Sequence, residues 1–211
     1  MEEFVKFLQA WKELVGAVIG VFGSLWVAVI VAASARRAEE RGAAVMLVAD
    51  LFGVCSSVDT IKQMAREKGV KVEDLNYFMV EKLTHIRPVL SPLFDSSFLR
   101  VVNCDKSLGS YLSLFQGLMR SVEPVYLRLA DDLYLIAKGQ KPDRGIELIN
   151  ADVATVCNAY IKAADYAEFA IYFLERAVIS RSPKLYKLRR RIFRNEKEKK
   201  AEHVLKNLYG F

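Results

Sequence analysis

The sequence predicts an all-α protein, with one N-terminal transmembrane helix that continues into a cytoplasmic antiparallel helical bundle and a basic C-terminal helix. Residues 14–35 carry no charge, helical periodicity dominates the rest of the chain, and lysine and arginine are concentrated near the C-terminus. We therefore divide the chain into an extracytoplasmic N-terminus at 1–13, a transmembrane helix at 14–35, a cytoplasmic bundle at 36–181 and a basic amphipathic helix at 182–211.

The apolar stretch at 14–35 has the length of a membrane span. As a helix, its 22 residues rise about 33 Å, which matches a hydrocarbon core of about 30 Å. Ala33-Ser34-Ala35 resembles a signal-peptidase site, so cleavage there is the alternative. The stretch is longer than the apolar region of a signal peptide, and three glutamates and two lysines precede it, which favours a retained span.

The charges that flank the span predict its orientation. Arg36, Arg37 and Arg41 follow it, whereas only Lys6 and Lys12 precede it. The positive-inside rule then places the C-terminal part in the cytoplasm and the N-terminus outside. We expect a single-pass protein of the bacterial inner membrane.

Small residues recur at every fourth position of the predicted span. They are Gly16, Gly20, Ser24, Ala28 and Ala32. Small side chains allow membrane helices to approach closely, so we interpret the series as a contact surface for homo-oligomer formation. A simple lipid anchor is the alternative, and the pattern does not give the number of subunits.

The cytoplasmic part is predicted to contain four long helical regions before the basic helix. The first ends at Gly69, and the second begins near Glu73–Asp74 and is interrupted by Pro88 and Pro92. The third follows Asn103 or Asp105 and runs to about Lys138, with a kink at Pro124. The fourth spans about Gly145 to Ser180. The fourth carries a seam of apolar residues with 4,3 spacing: Ile149, Val153, Val156, Tyr160, Ala163, Ala167, Ala170 and Leu174.

The C-terminal segment from Lys184 to Lys206 carries ten basic residues and three glutamates, a local charge of +7. The candidate contacts for an anionic partner are Lys184, Lys187, Arg189, Arg190, Arg191 and Arg194. Three interpretations stay open for the predicted helix: its stripe of Leu185, Leu188 and Ile192 packs on the bundle, it lies on anionic lipid, or it binds nucleic acid.

No motif in the sequence predicts catalysis, a cofactor or a metal site. Glu81 and His85 share a helical face without a second such pair, and Asp131 and Asp132 diverge by about 100° on a helix, which favours solvent exposure. Phosphate-binding glycine loops are absent. The three cysteines are far apart, so we interpret them as small core residues in a reducing compartment. We therefore expect a protein that is not an enzyme.

The segment RNEKEKKAEH resembles the motif of HEPN ribonucleases, helical bundles with an arginine, often an asparagine, and then a histidine. Arg194, Asn195 and His203 match in type, but eight residues separate Arg194 from His203. In one uninterrupted helix, nine steps of about 100° would place the two on opposite sides. The span LVGAVIGVFGSLWVAVIVAASARR, the length and this motif together resemble the small membrane accessory proteins of type VI-B CRISPR systems. That resemblance implies a defence-related oligomer that permeabilises the inner membrane.

Three functional hypotheses follow. The first is a homo-oligomeric inner-membrane protein that acts as a pore-forming or membrane-perturbing antiviral effector. The second is a non-catalytic tether that recruits a cytoplasmic protein or nucleic acid to the membrane. The third is a membrane-bound HEPN-like ribonuclease, which should depend on Arg194 and His203.

Overall fold

The part of the chain that the structure describes is mainly helical. The computed structural model describes the backbone of residues 2–180 and 183–209, and the side chains of residues 11, 12, 14–180, 186, 188–190 and 192–209. Within these ranges there is no β-strand, which confirms the all-α prediction. Two compact units can be distinguished, residues 1–41 and residues 42–211.

The first helix, α1, spans Glu2–Glu67. It ends at Gly69, whose φ of +61° lies in the left-handed region that suits glycine. The N–H of Val70 donates to the carbonyl of Ala65 at 3.0 Å, which satisfies a carbonyl of the last turn. The predicted stop at Gly69 is confirmed.

The second predicted region contains two separate helices, α2 at Leu75–Ile86 and α3 at Phe94–Val101, after a short 3-10 turn at Val72–Asp74. Because the residue before a proline avoids helical backbone angles, α2 ends before Arg87 and Pro88. Ser91 lies in the connection, where its N–H and hydroxyl donate to the Asp50 carboxylate at 3.1 and 2.8 Å. This contact fastens the proline-containing connection to α1.

Two long helices, α4 at Lys106–Ala137 and α5 at Ile146–Leu174, pack against each other. Asp105 caps α4, because its carboxylate accepts from the N–H groups of Ser107 and Leu108 at 2.9 and 3.2 Å. The structure thus selects Asp105 over Asn103 as the cap. A π-helical turn at Glu175–Ile179 extends α5.

The seam predicted on α5 lies in the hydrophobic core. All eight of its residues are buried: Ile149, Val153, Val156, Tyr160, Ala163, Ala167, Ala170 and Leu174. Opposite them on α4, the ring of Tyr111 stacks on Phe169 and Phe173, with ring centroids 4.9 and 6.2 Å away. The seam is therefore an intramolecular packing surface.

The prediction of one basic C-terminal helix at 182–211 is wrong, because the segment contains two helices. They are α6 at Pro183–Ile192 and α7 at Glu196–Tyr209. Asn195 caps α7: its side-chain oxygen accepts from the N–H of Glu198 at 2.8 Å, and the Glu198 carboxylate accepts from the N–H of Asn195 at 3.0 Å. This reciprocal capping box starts a new helix and ends the basic one.

Candidate functional site

The apolar segment at 14–35 exposes every side chain that the structure describes within it. It belongs to the one helix, among the described residues, that is long and apolar enough to cross a membrane. A Cβ atom added to Gly16 or Gly20 would meet nothing within 4 Å. The small residues at 16, 20, 24, 28 and 32 therefore lie on an uncovered helix surface.

The serines of this segment have hydroxyl partners within their own helix. Ser24 donates to the carbonyl of Val21 at 2.9 Å, and Ser34 donates to that of Val31 at 2.8 Å. An unpaired hydroxyl in hydrocarbon would be unfavourable, and these bonds remove that obstacle. The segment is chemically compatible with an apolar environment along its whole length.

Helix α6 presents apolar side chains to the outside. Leu188 and Ile192 of α6, and Phe193 directly after it, are exposed, the last two at 64% and 71%. The interpretation that Leu188 and Ile192 pack on the other helices is wrong, because both are exposed, whereas Tyr186 and Arg190 are the half-buried ones among the described side chains of α6. Leu185 lies outside the residues whose side chains are described. An apolar outer face next to arginines is typical of helices that lie in a membrane interface.

The six basic residues predicted to contact an anion have different surroundings. Lys184, Lys187 and Arg191 lie outside the described side chains, Arg189 is exposed, and Arg190 and Arg194 form ion pairs within the chain. Arg189 is therefore the member of the set whose described position best suits an external anion.

Arg190 connects α6 to the start of α4. Its guanidinium donates to both oxygens of Asp105 at 3.1 and 3.0 Å and to the hydroxyl of Ser107 at 2.6 Å. It also lies 4.7 Å from the ring centroid of Phe173. Burial alone lowers the pKa of Arg190, but Asp105 and other groups nearby outweigh it, so the net pKa is raised. Arg190 is thus held by contacts within the chain, and its contact with lipid or nucleic acid stays a prediction.

A buried carboxylate lies where α5, α6 and α7 meet. Glu198 is 3% exposed and accepts from the hydroxyl of Tyr186 at 2.8 Å and from that of Tyr172 at 3.4 Å. Asn195 also donates its side-chain amide to the hydroxyl of Tyr172. The sequence signal for this cluster is the capping box N-E-K-E at 195–198, which lies inside the segment predicted as one basic helix.

The capping box also changes the geometry of the HEPN-like residues. Arg194 precedes α7 and pairs with Glu202, whereas His203 contacts the amide of Asn207 at 3.3 Å. The two residues do not share one uninterrupted helix, so the expected opposition across a helix does not apply. In the described contacts, Arg194 is bound by the Glu202 carboxylate.

A groove of about 900 Å³ lies between α2 and the end of α4. Its walls are mostly apolar and include Phe78, Leu133 and Tyr134, with Glu81 and His85 among its polar residues. The neighbouring Lys82 donates to the Glu81 carboxylate and lowers its pKa. Among the described residues, no group of three or more histidine, cysteine or acidic side chains could hold a metal ion.

The adjacent residues Asp131 and Asp132 of α4 differ in solvent exposure. Asp131 is exposed, but Asp132 is only 7% exposed and accepts from Arg144 Nε at 2.8 Å. Arg144 also donates to Asp152 at 2.6 Å. The expectation of solvent exposure is therefore wrong for Asp132, which holds the loop at 139–145 against α4 and α5.

None of the three cysteines, all within the described residues, forms a disulfide. Burial raises the pKa of Cys157 to about 12 and that of Cys55 to about 11. Both are therefore protonated and weakly nucleophilic at neutral pH.

We found no family model, no curated protein and no solved structure that matches this chain.

Proposed function

We propose that this chain is a single-span protein of the bacterial inner membrane that self-associates and perturbs the bilayer. The observation that carries the proposal is the apolar segment at 14–35, whose described side chains are all exposed. Exposed apolar patches this extensive mark contact with a membrane or with another protein. The rest of the chain has its own buried core, so the segment is not needed to complete it.

The proposed orientation places residues 36–211 in the cytoplasm and the N-terminus outside. Its support is the basic flank of Arg36, Arg37 and Arg41. A protease added to spheroplasts should leave a tag placed after Phe211 intact and should cleave it once the membrane is opened. Cleavage of the tag in intact spheroplasts would indicate the opposite orientation. Release of the protein by alkaline carbonate would show that residues 14–35 do not span the membrane.

The outward face of α6 supports a second membrane contact. Leu188, Ile192 and Phe193 could enter the interface while Arg189 meets lipid phosphates. In this proposal α6 presents these apolar side chains to a bilayer that contains anionic lipid.

The proposed cellular role is that of a defence effector, as implied by the resemblance to the type VI-B accessory proteins. The purified protein should release a trapped dye from liposomes that contain anionic lipid. Replacing Gly16, Gly20 and Ser24 by leucine should lower both the release and the mass of the particle in detergent. A monomer in detergent would exclude a pore, because one span cannot enclose a channel.

A second candidate function is a membrane tether for a cytoplasmic protein, and the groove between α2 and α4 favours it. The groove combines an apolar wall with two exposed tyrosines, Tyr77 and Tyr134. Tyrosines are enriched in protein interfaces. A tether would retain a specific protein during purification and would cause no dye release, whereas the effector would release dye without a partner.

A further inference from the structure

The cytoplasmic part of α1 has one face in the core and one face that nothing in the described structure covers. The inner face contributes Leu47, Leu51, Val54 and Val58, each with no exposed surface. The other face carries an apolar series that we call the outer stripe: Gly42, Val45, Met46, Ala49, Phe52 and Ser56. Val45 and Phe52 are 56% and 62% exposed, so the stripe contains large apolar groups as well as small ones.

The outer stripe has the spacing of a coiled-coil seam. Gly42, Ala49 and Ser56 are separated by seven residues, and Val45 and Phe52 fill the positions three residues after the first two. Apolar residues repeated in this way place one narrow seam along a helix. Small residues alternate with larger ones along it, which would allow a second helix to approach closely.

The charged residues upstream avoid the same spacing in the sequence. Continued towards the N-terminus, it falls on Ala38, Ala35, Val31 and Ala28, whereas all five charges of 36–41 occupy other positions. Within 36–41 the spacing falls on position 38 alone, and that position carries alanine between the charged residues. Keeping them away is what helix pairing along α1 requires, since a charge buried between two helices is unfavourable.

We propose that the outer stripe is the surface through which parallel copies of this chain pack together on the cytoplasmic side of the membrane. The proposal rests on the proposed function, because a common membrane orientation makes the copies parallel and concentrates them in one plane. A second copy is the occupant that fits, since a seam with heptad spacing is complementary to an identical parallel seam. The groove between α2 and α4 is lined by residues outside the outer stripe.

Disulfide trapping of the full-length protein in its native membranes tests the proposal. Ala49→Cys places a thiol in the middle of the seam, and Val72→Cys places one at an 87% exposed position outside it. After mild oxidation, most of the Ala49→Cys chain should migrate as a linked dimer. The Val72→Cys protein should migrate as an unlinked chain because Val72 lies away from the outer stripe, and the unsubstituted chain sets the background from Cys55, Cys104 and Cys157.

The outcomes separate this proposal from the one on which it rests. If the chain is extracted from membranes by alkaline carbonate, both proposals fail. If it stays in the membrane and is oligomeric but Ala49→Cys links no better than Val72→Cys, the outer stripe is not the contact and the proposed function stands. A second variant, Phe52→Glu, should shift the particle in detergent to lower mass while the helical circular dichroism signal stays unchanged. An unchanged particle mass would also show that the outer stripe is not the contact surface.

Discussion

Helix α5 and the part of α1 at 42–58 carry similar apolar spacing but differ in burial. The seam of α5 faces α4 within the same chain, and Phe173 beside it has no exposed surface. The outer stripe of α1 has the same 4,3 spacing, yet Phe52 is 62% exposed. Heptad-like spacing therefore predicts that a surface will be covered, but it does not predict whether the cover comes from the same chain or from another copy.

The most direct test of this comparison replaces one phenylalanine on each surface with alanine. Phe173→Ala should lower the free energy of unfolding by about 3–5 kcal/mol, because it opens a cavity beside Tyr111. Phe52→Ala should change the stability of the monomeric fold by about 0.5 kcal/mol or less and should instead weaken self-association. Denaturant unfolding and particle mass in detergent measure the two effects. Equal losses of stability would show that the outer stripe belongs to the core.

The same contrast appears on α6, between an inward and an outward arginine. Arg190→Ala should destabilise the fold by about 1–3 kcal/mol, because it leaves the Asp105 carboxylate without its cation in a largely buried site. Arg189→Ala should hardly affect stability but should reduce binding to liposomes that contain anionic lipid. Thermal unfolding and vesicle cosedimentation test the pair. If Arg190→Ala weakened vesicle binding while leaving stability intact, its structural role would be refuted.

Local patterns predicted much of the fold because local interactions determine those features. Gly69, Asp105 and the α5 seam each act through neighbours a few residues away or through periodicity along one helix. The break at Asn195 is also determined locally, by the capping box. Because basic residues lie on both sides of it, the segment was predicted as one continuous basic helix. The sequence could not show that Leu188 faces outward and Arg190 inward, because that choice depends on Asp105 and Phe173, which are distant in the chain. Burial of Asp132 depends likewise on Arg144.

Alkaline titration should affect the α5 core and leave the outer stripe unaffected. Burial raises the pKa of Cys157 from 9.0 to about 12 and that of Tyr160 from 10.0 to about 12. In the unfolded chain these groups ionise at their ordinary values, so the folded state binds more protons between pH 9 and 12. Unfolding free energy should therefore be constant with respect to these groups below pH 9 and fall as the pH rises, by at most about 1.4 kcal/mol per pH unit for each group.

Cys157→Ala isolates one contribution to that slope. Denaturant unfolding between pH 8 and 11 should show a lower starting stability for the variant but a shallower decline than for the unsubstituted chain. The outer stripe has no residue that titrates in this range, so self-association measured under native conditions should follow any loss of fold and not precede it. Identical slopes for the two proteins would mean that the Cys157 thiol ionises equally well in both states.

The smallest expected effect concerns the cap that turns α7 back onto the core. Asn195→Ala removes the acceptor for the Glu198 N–H and the amide contact to Tyr172, so it should lower the free energy of unfolding by about 1 kcal/mol. Asn207→Ala on the exposed side of the same helix is the matched control, with an expected change of about 0.5 kcal/mol or less. Hydrogen exchange should locate the difference at the first turn of α7, because capping acts on the N–H groups there. Helix α7 packs on α4, since Tyr111 donates its hydroxyl to the carbonyl of buried Ala201 at 2.5 Å. If Asn195→Ala instead left α7 protected and α6 continuous with it, the capping box would not be what separates the basic helix from the helix that closes the core.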